Sequence, residues 1–159
     1  MVAMQKVWRD VDQFWFCREK SMREKITFTK DTRISVVDDD ESMREAIKAL
    51  IGSMGFSVED FSSAEDFLNS GGSQACDCLI LDVMMPGLSG LELQQRLMAD
   101  HQPIPIIFVT AHFTEKERMR AMQAGAVDFL SKPFTEQELF FAIDASLSIP
   151  KRIADEANF

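Results

Sequence analysis

Four short, largely apolar runs in this chain each stop abruptly at a residue able to do chemistry. Ile34 to Val37 halts at Asp38, Asp39 and Asp40, Cys78 to Leu81 at Asp82, Ile104 to Val109 at Thr110, and Val127 to Leu130 at Ser131 and Lys132. Runs of this length bounded by polar or turn residues read as strands, and a continuous apolar run such as Cys78–Leu81 suits a strand covered on both faces. A further strand is predicted over Phe56–Phe61, with Gly52 and Gly55 loosening the turn before it. Helical patterns separate the strands. Ser42 is expected to cap Met43–Met54, and Ser63 a short helix over Ala64–Asn69 that Gly71 and Gly72 stop. After Pro86, Gly87 and Gly90, a helix is predicted from Leu91 to about Asp100, then others over Thr114–Ala124 and from Thr135 to about Leu147. Five βα units in succession call for a doubly wound parallel sheet with helices on both faces. Ligands of such sheets bind at the carboxyl ends of the strands.

Size and charge narrow the function. At 159 residues and 18.0 kDa the chain suits one domain with an appendage. Residues 1–33 hold 8 Lys/Arg against 5 Asp/Glu, whereas the remainder holds 9 against 21. The body is therefore acidic. A surface of that sign repels phosphate backbones, so no direct nucleic-acid contact is expected of it, and a metal cation or a basic partner is favoured. The longest unbroken apolar run, Leu139–Ile143, is far too short to span a bilayer, and the charged start lacks a secretory core, so a cytoplasmic protein away from the membrane is expected. Cys17, Cys76 and Cys78 are odd in number and lack C-x-x-C spacing, which favours small buried thiols over disulfides or zinc.

The strand ends bring the chemistry together. Asp38, Asp39 and Asp82 converge on one edge with Thr110 and Lys132. Three carboxylates so close raise one another's pKa unless a counter-charge is present. Hard oxygen donors select Mg²⁺ or Mn²⁺, and Mg²⁺ prefers one or two carboxylates, waters and a phosphate. Lys132 adds a positive charge for phosphoryl oxygens and Thr110 a hydroxyl donor. Asp82, centrally placed, can itself act as a nucleophile and form an acyl phosphate.

The stretches V-V-D-D-D-E-S-M-R (Val36–Arg44), L-I-L-D-V-M-M-P-G-L-S-G (Leu79–Gly90), V-T-A (Val109–Ala111) and A-G-A-V-D-F-L-S-K-P-F (Ala124–Phe134) resemble the receiver domain of bacterial two-component response regulators. The resemblance covers about residues 32–150, leaving 1–31 as an N-terminal extension and 151–159 as a tail. It implies an α/β, flavodoxin-like (CheY-like) five-stranded sheet of order 2-1-3-4-5, and phosphorylation of Asp82 by a sensor histidine kinase. Asp39, Asp82 and the backbone carbonyl of Met84 are then the Mg²⁺ ligands, with Asp38 acting through water. Lys132 pairs with the phosphoryl group, ahead of a cis bond to Pro133. Thr110 and Phe129 form the switch, the hydroxyl moving toward the phosphoryl oxygen and the ring swinging inward; the plainer reading of Phe129 is a permanently buried aromatic. Met84 and His112 occupy positions that modulate attack of water on the acyl phosphate, and neither is acidic or an amide, which points to a longer-lived phosphorylated state. Activation is expected to rearrange the fourth helix, fifth strand and fifth helix into a dimerisation surface. Along that helix the charges Glu115, Lys116, Glu117, Arg118 and Arg120 either pair across the contact or face solvent.

Other classes stay open on sequence. An aspartate-nucleophile, Mg²⁺-dependent phosphatase generally wants a second carboxylate two residues beyond the nucleophile, where Met84 stands. A flavodoxin-like cofactor binder wants a Ser/Thr/Gly-rich loop after the first strand, where aspartates stand. An interaction module that has lost the chemistry would not need Asp39, Asp82, Thr110 and Lys132 together. The motif wording resembles receivers that precede a helix-turn-helix output domain, yet only nine residues follow Pro150. A fragment of a longer regulator and a single-domain regulator both fit. At the other end, Val7, Trp8, Val11, Phe14 and Trp15 share helical spacing, which suits a docking or dimerisation helix, a disordered tail, a vector-derived segment or a start placed ahead of Met22.

Overall fold

The computed structural model describes residues 32–148. The expectations for residues 1–31, Cys17 included, and for the tail 151–159 lie outside the described residues. Strands β1 (Arg33–Val37), β2 (Ser57–Phe61), β3 (Cys78–Leu81), β4 (Ile106–Thr110) and β5 (Asp128–Ser131) form one parallel sheet in the order 2-1-3-4-5. The helices between and after them are α1 (Glu41–Ser53), α2 (Ala64–Asn69), α3 (Gly90–Ala99), α4 (Glu115–Gln123) and α5 (Glu136–Leu147).

Alternation along the central strands splits the core in two, as period-2 side-chain direction requires. Leu79, Leu81 and Phe108 face Phe67 of α2, Leu93 and Leu97 of α3 and Ala121 of α4. Cys78, Ile80, Ile107 and Val109 face Ile47 and Ile51 of α1 and Leu139, Ala142 and Ile143 of α5. Cys76 and Cys78 are free thiols; burial pushes Cys78 up to about 12 and also raises Cys76. They serve the core.

Several element ends differ from the sequence-based expectation. Asp40, not Ser42, caps α1, its Oδ1 accepting from the amides of Ser42 and Met43 at 3.0 and 3.3 Å. Phe56 still donates to Ile51 at the end of α1, so β2 starts at Ser57. Pro105 has no N–H to give a ladder and Ile104 turns back on Gln102, which moves the start of β4 to Ile106. Gly72 does not end a helix but opens a separate four-residue helical turn, Gly72–Ala75. Thr114 and Thr135 sit just outside their helices as N-caps, each in a capping box with Glu117 and Glu138.

One glycine is required by space. The N-cap Ser89 starts α3, and a Cβ on Gly90 would lie 2.1 Å from the carbonyl oxygen of Asp82. The amide of Gly90 donates to Val83 at 3.0 Å, which closes the loop after β3 on itself. Gly90→Ala must push backbone against backbone. We expect it to cost about 2 kcal/mol of stability, within the range for overpacked sites, measured by urea unfolding.

Candidate functional site

The register of the sheet assembles the site. Val37 pairs with Leu81, so the residues that follow, Asp38 and Asp82, emerge side by side. Thr110 pairs with Ser131, which brings Lys132 to the same edge from the far side. One carboxylate oxygen from each of Asp38, Asp39 and Asp82 lies within 4.8 Å of the others, with Asp39 exposed and the other two buried. The convergence expected of Asp38, Asp39, Asp82, Thr110 and Lys132 is what the fold produces.

Lys132 Nζ lies 2.8 Å from Asp38 Oδ2 and 3.5 Å from Asp82 Oδ2. Its closest partner is thus Asp38, which is wholly buried. Asp38 Oδ1 accepts the Asp40 amide at 2.9 Å, and Asp82 Oδ1 accepts the Met84 amide at 3.2 Å. Burial first, then the charge of Asp38, raises the pKa of Asp82; Lys132 and the Met84 N–H oppose this. Burial alone would lower Lys132, but the hydrogen bond to Asp38 and the charges of Asp82 and Asp38 carry it above the ordinary lysine value. One ammonium against the two buried carboxylates, with Asp39 beside them, leaves the site short of positive charge.

Thr110 is buried and its hydroxyl donates to the His112 carbonyl at 3.1 Å. Phe129 is 8% exposed, edge-on to Phe113 with ring centroids 4.8 Å apart and tilted against Phe108 at 5.8 Å. Met84 is exposed beside Asp82, and His112 and His101 are exposed. The Lys132–Pro133 bond is cis. On α4, Arg118 reaches Glu115 of its own helix at 3.0 Å, which takes that pair up locally.

Sequence reasoning gave no task to three residues that shape the site. Arg44 reaches the Asp38 carbonyl, Asp60 receives Arg44 and Lys48, and Glu65 of α2 accepts the Leu88 amide of the loop after Asp82 at 2.8 Å. Arg44 closes the V-V-D-D-D-E-S-M-R stretch, a signal that was present. Glu65 has no local signature.

With this geometry in hand, the comparison with known families is decisive: the response regulator receiver domain matches residues 34–144. The chain belongs to that family. Its body is a receiver, the phosphoacceptor signalling module of two-component systems. The response regulator protein TodT of Pseudomonas putida is 49% identical over 116 residues, which cover 73% of this chain and 51% of that protein. The solved response regulator StyR has a TM-score of 0.73 at 45% identity, covering 80% of this chain and 66% of that one. The solved structure of FixJ-N gives a TM-score of 0.68 at 35% identity, covering 76% of this chain and 97% of that one. The chain spans about half the length of the curated relatives it matches. No described helix is long and apolar enough to cross a membrane.

The acidic cluster fits a divalent cation: three oxygen-donor side chains meet at one point, one of them open to solvent, and the pair that is buried has a single lysine against it.

Proposed function

We propose that Asp82 is the phosphoacceptor of this receiver, modified by a sensor histidine kinase in a Mg²⁺- or Mn²⁺-dependent reaction. The observation that supports this best is the joint placement of Asp38, Asp39 and Asp82 with Lys132 at one sheet edge. Asp39, Asp82 and the Met84 carbonyl would hold the cation, with Asp38 contributing through water. When bound, the cation supplies charge neutralisation for the incoming phosphoryl oxygens.

The transfer itself is a displacement at phosphorus. A carboxylate oxygen of Asp82 bonds to the phosphorus of a phosphohistidine, the P–N bond breaks, and the imidazole nitrogen keeps the electron pair and takes a proton. Lys132 Nζ, already 3.5 Å from Asp82, pairs with a phosphoryl oxygen as charge builds there. A small acyl phosphate serves as donor in the same way, its carboxylate leaving, and water attacking the phosphorus of the aspartyl phosphate releases inorganic phosphate and the free Asp82 carboxylate, so Asp82 undergoes self-phosphorylation and self-dephosphorylation. With Met84 and His112, neither an acid nor an amide, at the two positions expected to modulate the attack of water, a longer-lived phosphorylated state is expected.

Modification then moves the switch. The phosphoryl group adds nearly two charges and strong acceptors, so the Thr110 hydroxyl exchanges the His112 carbonyl for a charge-assisted bond available only in that state. Phe129 takes the space vacated, and the surface of α4, β5 and α5 rearranges for dimerisation or effector control.

Incubation with Mg²⁺ and acetyl phosphate, followed by intact mass, peptide mapping and light scattering, tests this reading. One phosphoryl adduct on the Asp82 peptide is expected, with a doubled mass in solution. Turnover of small phosphate esters without an adduct would favour the phosphatase, and neither adduct nor turnover would favour an interaction module; an adduct with unchanged mass contradicts dimerisation alone.

A further inference from the structure

Arg44 has no part in the chemistry above, yet it touches the backbone from which two of the carboxylates hang. It lies in the first turns of α1 with its side chain 13% exposed. Nη1 donates to the carbonyl oxygen of Asp38 at 2.8 Å and Nε to Asp60 Oδ2 at 3.2 Å. The sheet gives out at this point. The Asp38 amide still donates to Phe61 of β2 at 3.2 Å, and the Val37 carbonyl accepts the Asp82 amide at 3.0 Å, whereas the Asp38 carbonyl takes the guanidinium. That carbonyl belongs to the peptide joining Asp38 to Asp39, so fixing its direction fixes how both side chains leave the backbone. A planar guanidinium can hold two acceptors at set angles, which an ammonium cannot. The second acceptor is itself fixed, because Lys48 Nζ holds the other oxygen of Asp60 at 2.9 Å.

We propose that Arg44 is a positioning residue for the cation and phosphoryl site: it orients the Asp38–Asp39 peptide from α1, with Asp60 of β2 as its anchor. The inference rests on the phosphoacceptor reading. It separates Arg44 from Lys48, which reaches the anchor but not the peptide.

The test uses the whole chain and its Arg44→Gln, Arg44→Lys and Lys48→Ala variants, with Mg²⁺ and Mn²⁺ affinity from titration calorimetry and amide exchange of Asp40 in metal-free buffer. Residues that orient metal ligands typically set affinity by about ten- to hundredfold, and Arg44→Gln is expected to lose at least the lower figure. Arg44→Lys recovers part of the loss, and Lys48→Ala, which loosens only the anchor, loses clearly less than Arg44→Gln. The Asp40 amide, held 2.9 Å from Asp38 Oδ1, exchanges faster in Arg44→Gln. Parental affinity in folded Arg44→Gln overturns the inference, and so does an equal loss in Lys48→Ala, which marks a general brace. If Arg44→Gln does not fold, Arg44→Lys decides: weaker binding than the parent supports the role and parental affinity overturns it. A parent that takes up neither ion overturns the phosphoacceptor reading itself, and the inference with it.

Discussion

Replacing Asp82 by asparagine is expected to stabilise the protein and, in the same stroke, abolish its capacity to take up a phosphoryl group. The carboxylate is buried, 6% exposed, beside the wholly buried Asp38, and these two facts raise its pKa. At neutral pH the fold therefore holds a charge that the unfolded chain carries more comfortably. An amide of the same shape removes the charge and can still accept the Met84 N–H. The gain should be about 1 kcal/mol, the scale of single stabilising substitutions. The sign with pH follows from linkage. A carboxyl whose pKa is raised by folding penalises the native state above that pKa, and the penalty fades as the pH falls through it toward the unfolded value. The advantage of Asp82→Asn in metal-free urea unfolding should thus be largest near neutrality and close on acidification. Because an amide cannot form the acyl phosphate, acetyl phosphate should leave the variant's mass unchanged. A less stable variant, or a surviving adduct, contradicts these assignments.

The opposite outcome is expected of Lys132→Ala. Its ammonium is 2.8 Å from Asp38 Oδ2, and Asp38 has no exposure to solvent. Removing one partner of a buried pair leaves an uncompensated charge, which costs about 3 to 5 kcal/mol. Asp82 loses a neighbour that lowers its pKa, so the acidic edge becomes more strained still. Added Mg²⁺ should restore part of the loss, since an ion that binds only the native state stabilises it by mass action. Unfolding in urea with and without the ion measures both effects. A loss below about 1 kcal/mol, the size of a solvated surface pair, contradicts the account of Lys132 as the charge that makes the buried aspartate tolerable.

The grouping of the site's side chains was legible in the sequence because a parallel sheet gathers strand ends by topology alone. Asp39, Asp82 and Lys132 follow strands and Thr110 ends one, and the order of the strands puts them at one edge. The cap was legible at Ser63, whereas Thr114 and Thr135, read as the first helical residues, stand one position outside as caps. Asp40 was missed as a cap because the apolar pattern of α1 starts only at Met43, while its first residues, Glu41 and Ser42, face solvent. The partition of Lys132 between Asp38 and Asp82 is a matter of 0.7 Å, which residue spacing does not encode. Nor does it encode the Arg44 brace, which depends on where β2 lies against β1 in register, Val36 opposite Asp60.

Calorimetric titration of the full chain with Mg²⁺ and with Mn²⁺ tests the acidic edge most directly. Uptake of one ion per chain, lost in Asp39→Ala and matched by a rise in melting temperature, is the expected result. Absence of any uptake, or uptake that Asp39→Ala leaves untouched, would contradict the assignment of Asp38, Asp39 and Asp82 as the cation site that readies Asp82 for phosphorylation.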